Sequence, residues 1–387
     1  MTDLRASQPH ILQPYVDSGA LPGAVTLVAR GDHVDVRAVG AADAEGGVPM
    51  GRDTIFRIAS VSKPVTAAAA MVLVDDGLIA PGDPVARWLP ELAAPQVVRV
   101  PEGPVDDVVP AGRAITVEDL LTFRAGYGFP SDFSLPAVQL LFSRGVQGGL
   151  EPQALAAPDE WMAELARIPL VYQPGEAWLY NTCSDVLGVL IERVAGRPLP
   201  EFLAERLFEP LGMGDTAFDV PVAKRDRFTS LYQPDAAGGL RRTDAPDGQW
   251  AAAPKFASGA GGLVSTADDL LAFARLLLAE GTTPQGRRLL SAEAVRRMTT
   301  DQLTKAQREA SDLFLEGQGW GYGGSVDVET THPWSVPGRY GWVGGSGTTW
   351  HLTPSTGTVA ILLTQVAMTG PTPPAVMTDF WRYAAGV

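Results

Sequence analysis

Strand-like segments lie near both ends of the chain, while helical patterns fill its middle. Apolar and polar residues alternate over residues 23–30 and 33–39 around Gly31-Asp32, which predicts a β-hairpin. Strand patterns return over residues 348–352 and 359–365. Hairpin-linked strands at both termini indicate an antiparallel sheet assembled from the two ends of the chain. The predicted fold is α/β (α+β): an antiparallel sheet flanked by helices, built from both termini, with an inserted helical domain.

The length of 387 residues is typical of two domains or one large one. We assign residues 1–85 and 256–387 to the α/β domain and residues 86–255 to the mainly helical inserted domain. Further helices are predicted over residues 4–17 at the N-terminus and 374–384 at the C-terminus. Two more segments carry specific expectations: residues 235–256 are expected to form a polar surface excursion, and residues 319–328 a strand.

Scarce residue types exclude several classes of site. A single cysteine, Cys183, excludes an internal disulfide and a Cys-x-x-C redox motif. The four histidines, His10, His33, His332 and His351, have no metal-ligand spacing, so we expect no metal. The net charge of −14 disfavours nucleic acid and anionic membranes as partners. With neither a secretory signal nor an apolar stretch of membrane-spanning length, the chain is expected to be cytoplasmic.

The strongest local signal is Ser60-Val61-Ser62-Lys63, between a strand-like segment and an alanine-rich apolar helix. Residues i and i+3 share a helix face, so Lys63 can place its amine beside the Ser60 hydroxyl. Serine is a weak nucleophile without a neighbouring base, and burial lowers the pKa of a lysine toward that role. The alternative is a serine that caps the helix and a solvated lysine, which fits poorly with the apolar residues that follow.

Two further segments are candidates for the same site. Tyr180 precedes an apolar helix, and a phenol near a buried ammonium can relay a proton; the alternative is an aromatic plug at a helix start. Residues 341–349 are rich in glycine, which lets a backbone approach a ligand; the alternative is a glycine-rich bulge. Residues 319–324 match G-x-G-x-x-G, but no helix follows them, which argues against a dinucleotide site. The sequence contains neither a Walker A motif nor G-x-S-x-G.

Together, Ser60-x-x-Lys63, Tyr180 and Trp342-x-Gly344 resemble the serine β-lactamase superfamily. The pattern is most similar to its class C branch and to the family VIII carboxylesterases. The resemblance covers nearly the whole chain, because several other motifs also match: residues 120–126, 174–176, 210–213 and 261–270.

The resemblance implies an active site between the two domains and a role for each motif. Ser60 would be the nucleophile that accepts the acyl group, and Lys63 would hold its proton network. Tyr180 would act as the partner base or acid during acylation and deacylation. The backbone amides of Ser60 and Gly345 would form the oxyanion hole. Tyr127 would line the acyl pocket, and Trp342, Gly344 and Thr182 would be the other substrate-binding residues. No cofactor would be needed.

Two departures from the β-lactamase pattern bear on the substrate. Those enzymes carry Tyr-x-Asn, whose asparagine contacts the substrate amide, whereas Thr182 stands at that position here. They also carry Lys-Thr-Gly, whose cation binds the antibiotic's carboxylate, whereas this chain has Trp342-Val343-Gly344. An indole in place of an ammonium removes an anion-binding group and adds an apolar wall next to Gly344. Family VIII esterases resemble this chain in lacking that lysine, which favours esters over β-lactams.

The sequence therefore predicts a serine carboxylesterase that forms an acyl-enzyme on Ser60 with a short-chain or otherwise small ester. The same machinery could serve a β-lactamase, a peptidase or amidase, or an acyltransferase. A catalytically silent binding module is the alternative from another class, against which the intact Ser60, Lys63 and Tyr180 argue. Neither the physiological substrate nor the oligomeric state follows from the sequence.

Overall fold

The computed structural model describes residues 10–386. The main sheet contains strands from both ends of the chain. Its N-terminal strands are β1 (Gly23–Arg30), β2 (His33–Asp43) and β3 (Val48–Pro49). Its C-terminal strands are β10 (Gly319–Trp320), β11 (Ser325–Val326), β12 (Tyr340–Gly344), β13 (Thr348–Thr353) and β14 (Thr358–Thr364). The short strands between them are β4 (Phe56–Arg57), β5 (Gln96–Val98), β6 (Val108–Pro110), β7 (Leu231–Pro234), β8 (Leu240–Asp244) and β9 (Val264–Ser265).

Helices occur along the whole described range and are densest in its middle. They are α1 (Gln13–Asp17), α2 (Ser62–Asp75), α3 (Val117–Leu121), α4 (Pro136–Ser143), α5 (Pro158–Leu165), α6 (Thr182–Ala195), α7 (Leu199–Leu203), α8 (Glu209–Leu211), α9 (Ala267–Leu278), α10 (Ala292–Thr299), α11 (Lys305–Glu309), α12 (Asp312–Leu315) and α13 (Ala375–Ala385). None of the helices described is long and apolar enough to cross a membrane.

The main sheet joins the two ends of the chain. Its strand order is β10-β11-β12-β13-β14-β1-β2-β3, and all of its neighbouring strands are antiparallel. The N- and C-terminal parts meet where β1 pairs with β14, with Leu27 opposite Ile361. The predicted hairpin is present, since Arg30 pairs with His33 across the turn. The expected antiparallel sheet from both termini is therefore confirmed.

The two faces of the sheet bury different helices. Leu27 and Ile361 belong to the large core that includes the apolar residues of α2 and α9. Their strand neighbours Val28 and Leu362 pack on the opposite face, with Phe380 of α13. This alternation follows from the twofold period of a strand. In α2, every residue from Ser62 to Leu73 is buried, so this helix is enclosed on all sides.

Some elements differ from expectation. Residues 319–328 form two short strands around a turn because Gly323 has a φ of 76° and lies so near α2 that a Cβ there would be 2.6 Å from the Lys63 carbonyl oxygen. The expected excursion over residues 235–256 contains strand β8 and the buried Trp250. Of the predicted N-terminal helix, residues 4–9 lie outside the described range. The domain boundaries stay a prediction.

Candidate active site

Ser60 lies on a tight turn at the start of α2. Residues Ala59–Val61 form a single turn of 3-10 helix. Ala59 has a φ of 43°, a left-handed backbone conformation that costs a non-glycine residue free energy. The Ser62 hydroxyl fixes the turn: it donates to the Ala59 carbonyl at 2.7 Å and accepts from the Leu263 amide at 3.2 Å. Local strain held by such contacts is typical of functional positions.

Lys63, on the first turn of α2, is fully buried. Its Nζ donates to the Ser60 Oγ at 2.8 Å and to the Ala260 carbonyl oxygen at 2.7 Å. Burial lowers the pKa of Lys63 to about 7, against the opposing effect of the Asp185 charge. A large fraction of the amine is therefore unprotonated near neutral pH, and in that form it can accept the proton of Ser60.

Asp185 is a member of this cluster that the sequence reasoning missed. It lies on the first turn of α6, where its Oδ1 accepts hydrogen bonds from Ser258 Oγ at 2.7 Å and from the Ala260 amide at 3.1 Å. Residue Ala260 thus links Asp185 to Lys63 through its own peptide groups. Burial raises the pKa of Asp185. The available signal was a carboxylate on the first turn of a helix whose following residues, 186–191, are apolar or glycine.

Tyr180 is positioned by its backbone. Its backbone exchanges two hydrogen bonds with the backbone of Phe129, at 3.0 and 2.9 Å. Position 128 requires glycine, because a Cβ there would lie 2.5 Å from the Tyr180 carbonyl oxygen. Asn181 has φ 85° and ψ −66°, and the Thr182 amide donates to the Tyr180 carbonyl at 3.3 Å. These are the features of a strained γ-turn, which reverses the chain into α6.

The Tyr180 side chain contacts the other two predicted motifs. Its hydroxyl accepts a hydrogen bond from Trp342 Nε1 at 2.7 Å, and the nearby Ser60 side chain opposes the effect of burial on the pKa of the phenol. The Lys63 Nζ lies 4.7 Å from the centre of its ring. Burial raises the pKa of Tyr180 to about 12, so the phenol keeps its proton at neutral pH and can act as an acid.

The strand that carries Trp342 passes close to the Ser60 turn. A Cβ on Gly344 would lie 2.4 Å from the Ile58 carbonyl oxygen, and Thr348 Oγ1 donates to that oxygen at 3.0 Å. Ser60 and Gly345 line the same cavity, so both predicted oxyanion donors border one space. Glycine at position 344 is therefore required by the approach of the two backbones.

Thr182 and Tyr127 lie elsewhere than the sequence suggested. Both are buried, and neither is among the described residues that line the cavity. The γ-turn places Thr182 in α6, where its hydroxyl accepts a hydrogen bond from Gln147 Nε2 at 2.9 Å. Asn181 and Gln147 line the cavity instead, and the Asn181 amide donates to Gln147 Oε1 at 2.6 Å.

The cavity has a volume of about 440 Å³ and a wall of phenylalanines. Phe129 stacks on Phe142 with ring centres 5.2 Å apart, and Phe314 lies 4.7 Å from the Tyr180 ring. Phe133 contacts both Phe129 and Phe314, which makes the wall continuous. No local sequence pattern indicates this wall, because its residues come from separate loops and helices.

The lining carries little charge. Within residues 10–386, no lysine, arginine or histidine lines this cavity, and Asp185 is its one acidic residue. No group of histidine, cysteine and acidic side chains in that range is arranged to hold a metal ion. An anionic ligand would therefore lose its hydration without gaining a cationic partner, which favours uncharged ligands.

Comparisons with known proteins agree with this geometry. The Beta-lactamase family model matches residues 10–377. Protein Rv1367c of Mycobacterium tuberculosis is 42% identical over 367 residues, covering 92% of this chain and 88% of that protein. Esterase EstB of Burkholderia gladioli is 33% identical over 371 residues, covering 90% and 88%.

The solved structure of EstCE1, described as a hydrolase with promiscuous acyltransferase activity, superposes with a TM-score of 0.80 at 27% identity, covering 97% of this chain and 96% of that one. A solved structure of simvastatin synthase LovD, at 24% identity, has the same fold, with a TM-score of 0.78. These matches show that the chain belongs to the Beta-lactamase family, in which it is a serine hydrolase similar to the esterases.

Proposed function

We propose that this protein is a carboxylesterase that cleaves esters through an acyl-enzyme on Ser60, with an uncharged part of the ester in the active-site cavity. The observation that carries the proposal is the combination of a Ser60–Lys63–Tyr180 cluster with a cavity lined by aromatic residues and no cation. In the β-lactamases that this chain resembles, the motif position of Trp342 carries the cation that binds the antibiotic's carboxylate. Its indole donates to Tyr180, so this residue serves the reaction and the apolar wall together.

In acylation, the unprotonated Lys63 amine takes the Ser60 proton as Oγ attacks the ester carbonyl carbon. The negative charge that develops on the carbonyl oxygen is stabilised by the Ser60 and Gly345 amides. The carbon–oxygen bond to the alcohol then breaks, and the departing alkoxide receives a proton from the Tyr180 hydroxyl. The proton held by Lys63 returns to Tyr180, which restores the neutral phenol.

Deacylation uses the same groups in the opposite direction. A water molecule attacks the acyl carbon of the Ser60 ester, and its proton passes to the Tyr180–Lys63 pair. The acid is released as Ser60 Oγ regains its proton. An amine whose pKa is about 7 suits both half-reactions, because it can accept and return a proton near neutral pH.

The cavity size favours a larger ester than the short-chain or small one expected from the sequence. Cavities of roughly 300–1,000 Å³ accommodate drug-sized ligands, and this one has about 440 Å³. We therefore infer that the ester carries an apolar or aromatic group larger than a short acyl chain, packed against the phenylalanine wall. Esterase EstB and a lovastatin esterase of Penicillium rubens, 30% identical over 365 residues, are consistent with an ester substrate.

A panel of p-nitrophenyl acetate, p-nitrophenyl phenylacetate, a p-nitroanilide and nitrocefin tests the proposal on wild type and Ser60→Ala. We expect both esters to be cleaved, the phenylacetate with the higher kcat/KM, and Ser60→Ala to be inactive. Faster turnover of nitrocefin or of the anilide than of either ester would contradict the proposal, as would undiminished hydrolysis by Ser60→Ala.

Acyl transfer to an alcohol is the second candidate, favoured by the similarity to EstCE1 and by the apolar cavity, which can exclude water from the acyl-enzyme. Adding an alcohol such as benzyl alcohol to the ester assay distinguishes the two. A transfer product that forms faster than free acid would assign acyl transfer as the main activity. Free acid as the main product would assign hydrolysis.

A further inference from the structure

A second cavity of about 440 Å³ lies beside the active-site cavity. Phe314, Trp342, Val343 and Pro371 line both, so the two spaces share a wall. The second cavity is bordered by residues of the main sheet and of α13. Nothing in the proposed reaction uses this space.

Arg339, immediately before β12, is the most unusual residue of this cavity. Only 7% of it is exposed, and it also lines a neighbouring cavity of about 260 Å³, so it lies between two spaces. Its ion pair with Asp327 is long, with Nη1 and Oδ2 3.7 Å apart. Asp327 already accepts hydrogen bonds from Gln318 Nε2 at 2.6 Å and from the Val336 amide at 3.1 Å.

A long ion pair of this kind leaves the guanidinium with unused donors. Arginine carries five N–H groups in a planar fork that matches a carboxylate. The face of the Arg339 guanidinium lies over the Trp381 ring, 5.3 Å from its centre, while the long contact with Asp327 leaves N–H groups at the edge of the fork available. Burial lowers the pKa of Arg339 to about 10, so it remains charged at neutral pH. A carboxylate that binds here would form the charge-assisted hydrogen bonds that Asp327, 3.7 Å away, does not provide.

The remaining lining suits an anion with an apolar body. His351 is buried and Arg339 is near it, and both effects lower its pKa well below the ordinary value, so it is neutral and can accept or donate a hydrogen bond. Trp334 and Trp381 offer indole surfaces. Glu316 is the one acidic residue of the described lining, and it is exposed. Solvent therefore screens its repulsion of one carboxylate on the ligand, although its charge still disfavours a ligand with a second negative charge.

We propose that this second cavity binds an organic monocarboxylate, with its carboxylate on Arg339 and its apolar part against Trp334 and Trp381. Such a group has two sources. One is a free acid, such as the acid that the proposed esterase reaction releases; the other is a carboxylate at the far end of the ester substrate. Binding itself can be measured without turnover, whereas assigning its source rests on the proposed function.

Calorimetric titration with phenylacetate tests the binding. The protein is first phosphonylated on Ser60 so that the active-site cavity is filled, and phenylacetamide serves as the uncharged control. We expect phenylacetate to bind at least tenfold more tightly than phenylacetamide, and Arg339→Gln to remove that preference. Thr378→Tyr, which fills the cavity but keeps Arg339, should also weaken binding at least tenfold. Equal affinity for the two compounds, or unchanged phenylacetate binding in Thr378→Tyr, would overturn the proposal.

Two matched esters then identify the source of the carboxylate. If wild type prefers p-nitrophenyl hydrogen suberate over p-nitrophenyl octanoate and Arg339→Gln does not, the carboxylate belongs to the substrate. If phenylacetate binds but the esters are cleaved alike, the ligand is a free acid. If neither ester is cleaved, the proposed function fails, while the titration still decides the binding site.

Discussion

The two ends of the active-site cavity differ in polarity. At one end Ser60, Lys63, Tyr180 and Asp185 form a polar cluster, in which Lys63 and Asp185 are buried and Ser60 and Tyr180 are half-buried. At the other end the phenylalanine wall has no polar partner and ends at Phe142, which is 44% exposed. The comparison separates the roles: burial of the cluster sets the pKa values that permit catalysis, and the wall selects what is cleaved.

Removing the nucleophile should have the largest effect. In Ser60→Ala, the cluster keeps its shape but no acyl-enzyme can form, so we expect kcat to fall about 10⁴-fold or more. Ser355→Ala, on an exposed turn, is the matched control and should hydrolyse p-nitrophenyl phenylacetate at the wild-type rate. Residual activity within tenfold of wild type would show that the polar cluster is not the catalytic end.

Removing the base should have the next largest effect. Lys63→Met keeps the length of the side chain without its amine, and we expect kcat to fall about 10³-fold. In wild type, kcat should rise with pH through a midpoint near 7, because the unprotonated amine is the active form. Lys305→Met, at an exposed lysine, should preserve rate and profile. A wild-type rate that is constant from pH 5 to pH 9 would contradict this role for Lys63.

Trp342 contacts the polar cluster through its indole N–H and also lines the apolar part of the cavity. A substitution that removes only the N–H separates these two contributions. Trp342→Phe keeps an aromatic wall but removes the hydrogen bond to the Tyr180 hydroxyl. Losing that donor makes the phenol a weaker acid, and we expect kcat to fall about fivefold with little change in KM. Steady-state kinetics with p-nitrophenyl phenylacetate measure the split. A rise in KM alone would place Trp342 in the wall only.

The wall itself should affect selectivity more than rate. Phe142→Ala removes one face of the stacked pair with Phe129, and we expect kcat/KM for p-nitrophenyl phenylacetate to fall about threefold while that for p-nitrophenyl acetate is unchanged. Val222→Ala, at an exposed apolar residue outside the lining, should change neither. An equal loss with both esters would contradict a role in selection.

The smallest change expected is a shift of the pH profile. The Asp185 charge raises the pKa of Lys63, so Asp185→Asn should move the midpoint of kcat to lower pH. Asparagine keeps an oxygen for the hydrogen bonds from Ser258 and Ala260. A midpoint that moves to higher pH would reverse the assigned sign of this interaction.

The polar cluster was largely accessible from sequence, and the wall was not. The i, i+3 spacing of Ser60 and Lys63 allowed their contact to be predicted, and the terminal hairpins indicated the antiparallel sheet. The wall requires Phe129, Phe142 and Phe314 to meet across loops whose courses no local pattern specifies. Thr182 illustrates the same limit, because the strained γ-turn at Asn181 determines which neighbour reaches the cavity.

The most direct test of the account is to identify the residue that a fluorophosphonate labels and the pH dependence of that labelling. Mass spectrometry of wild type should find the adduct on Ser60, formed at a rate that rises through a midpoint near pH 7, and Lys63→Met should label at least a hundredfold more slowly. An adduct on another residue, or labelling of Lys63→Met at the wild-type rate, would contradict the claim that buried Lys63 activates Ser60.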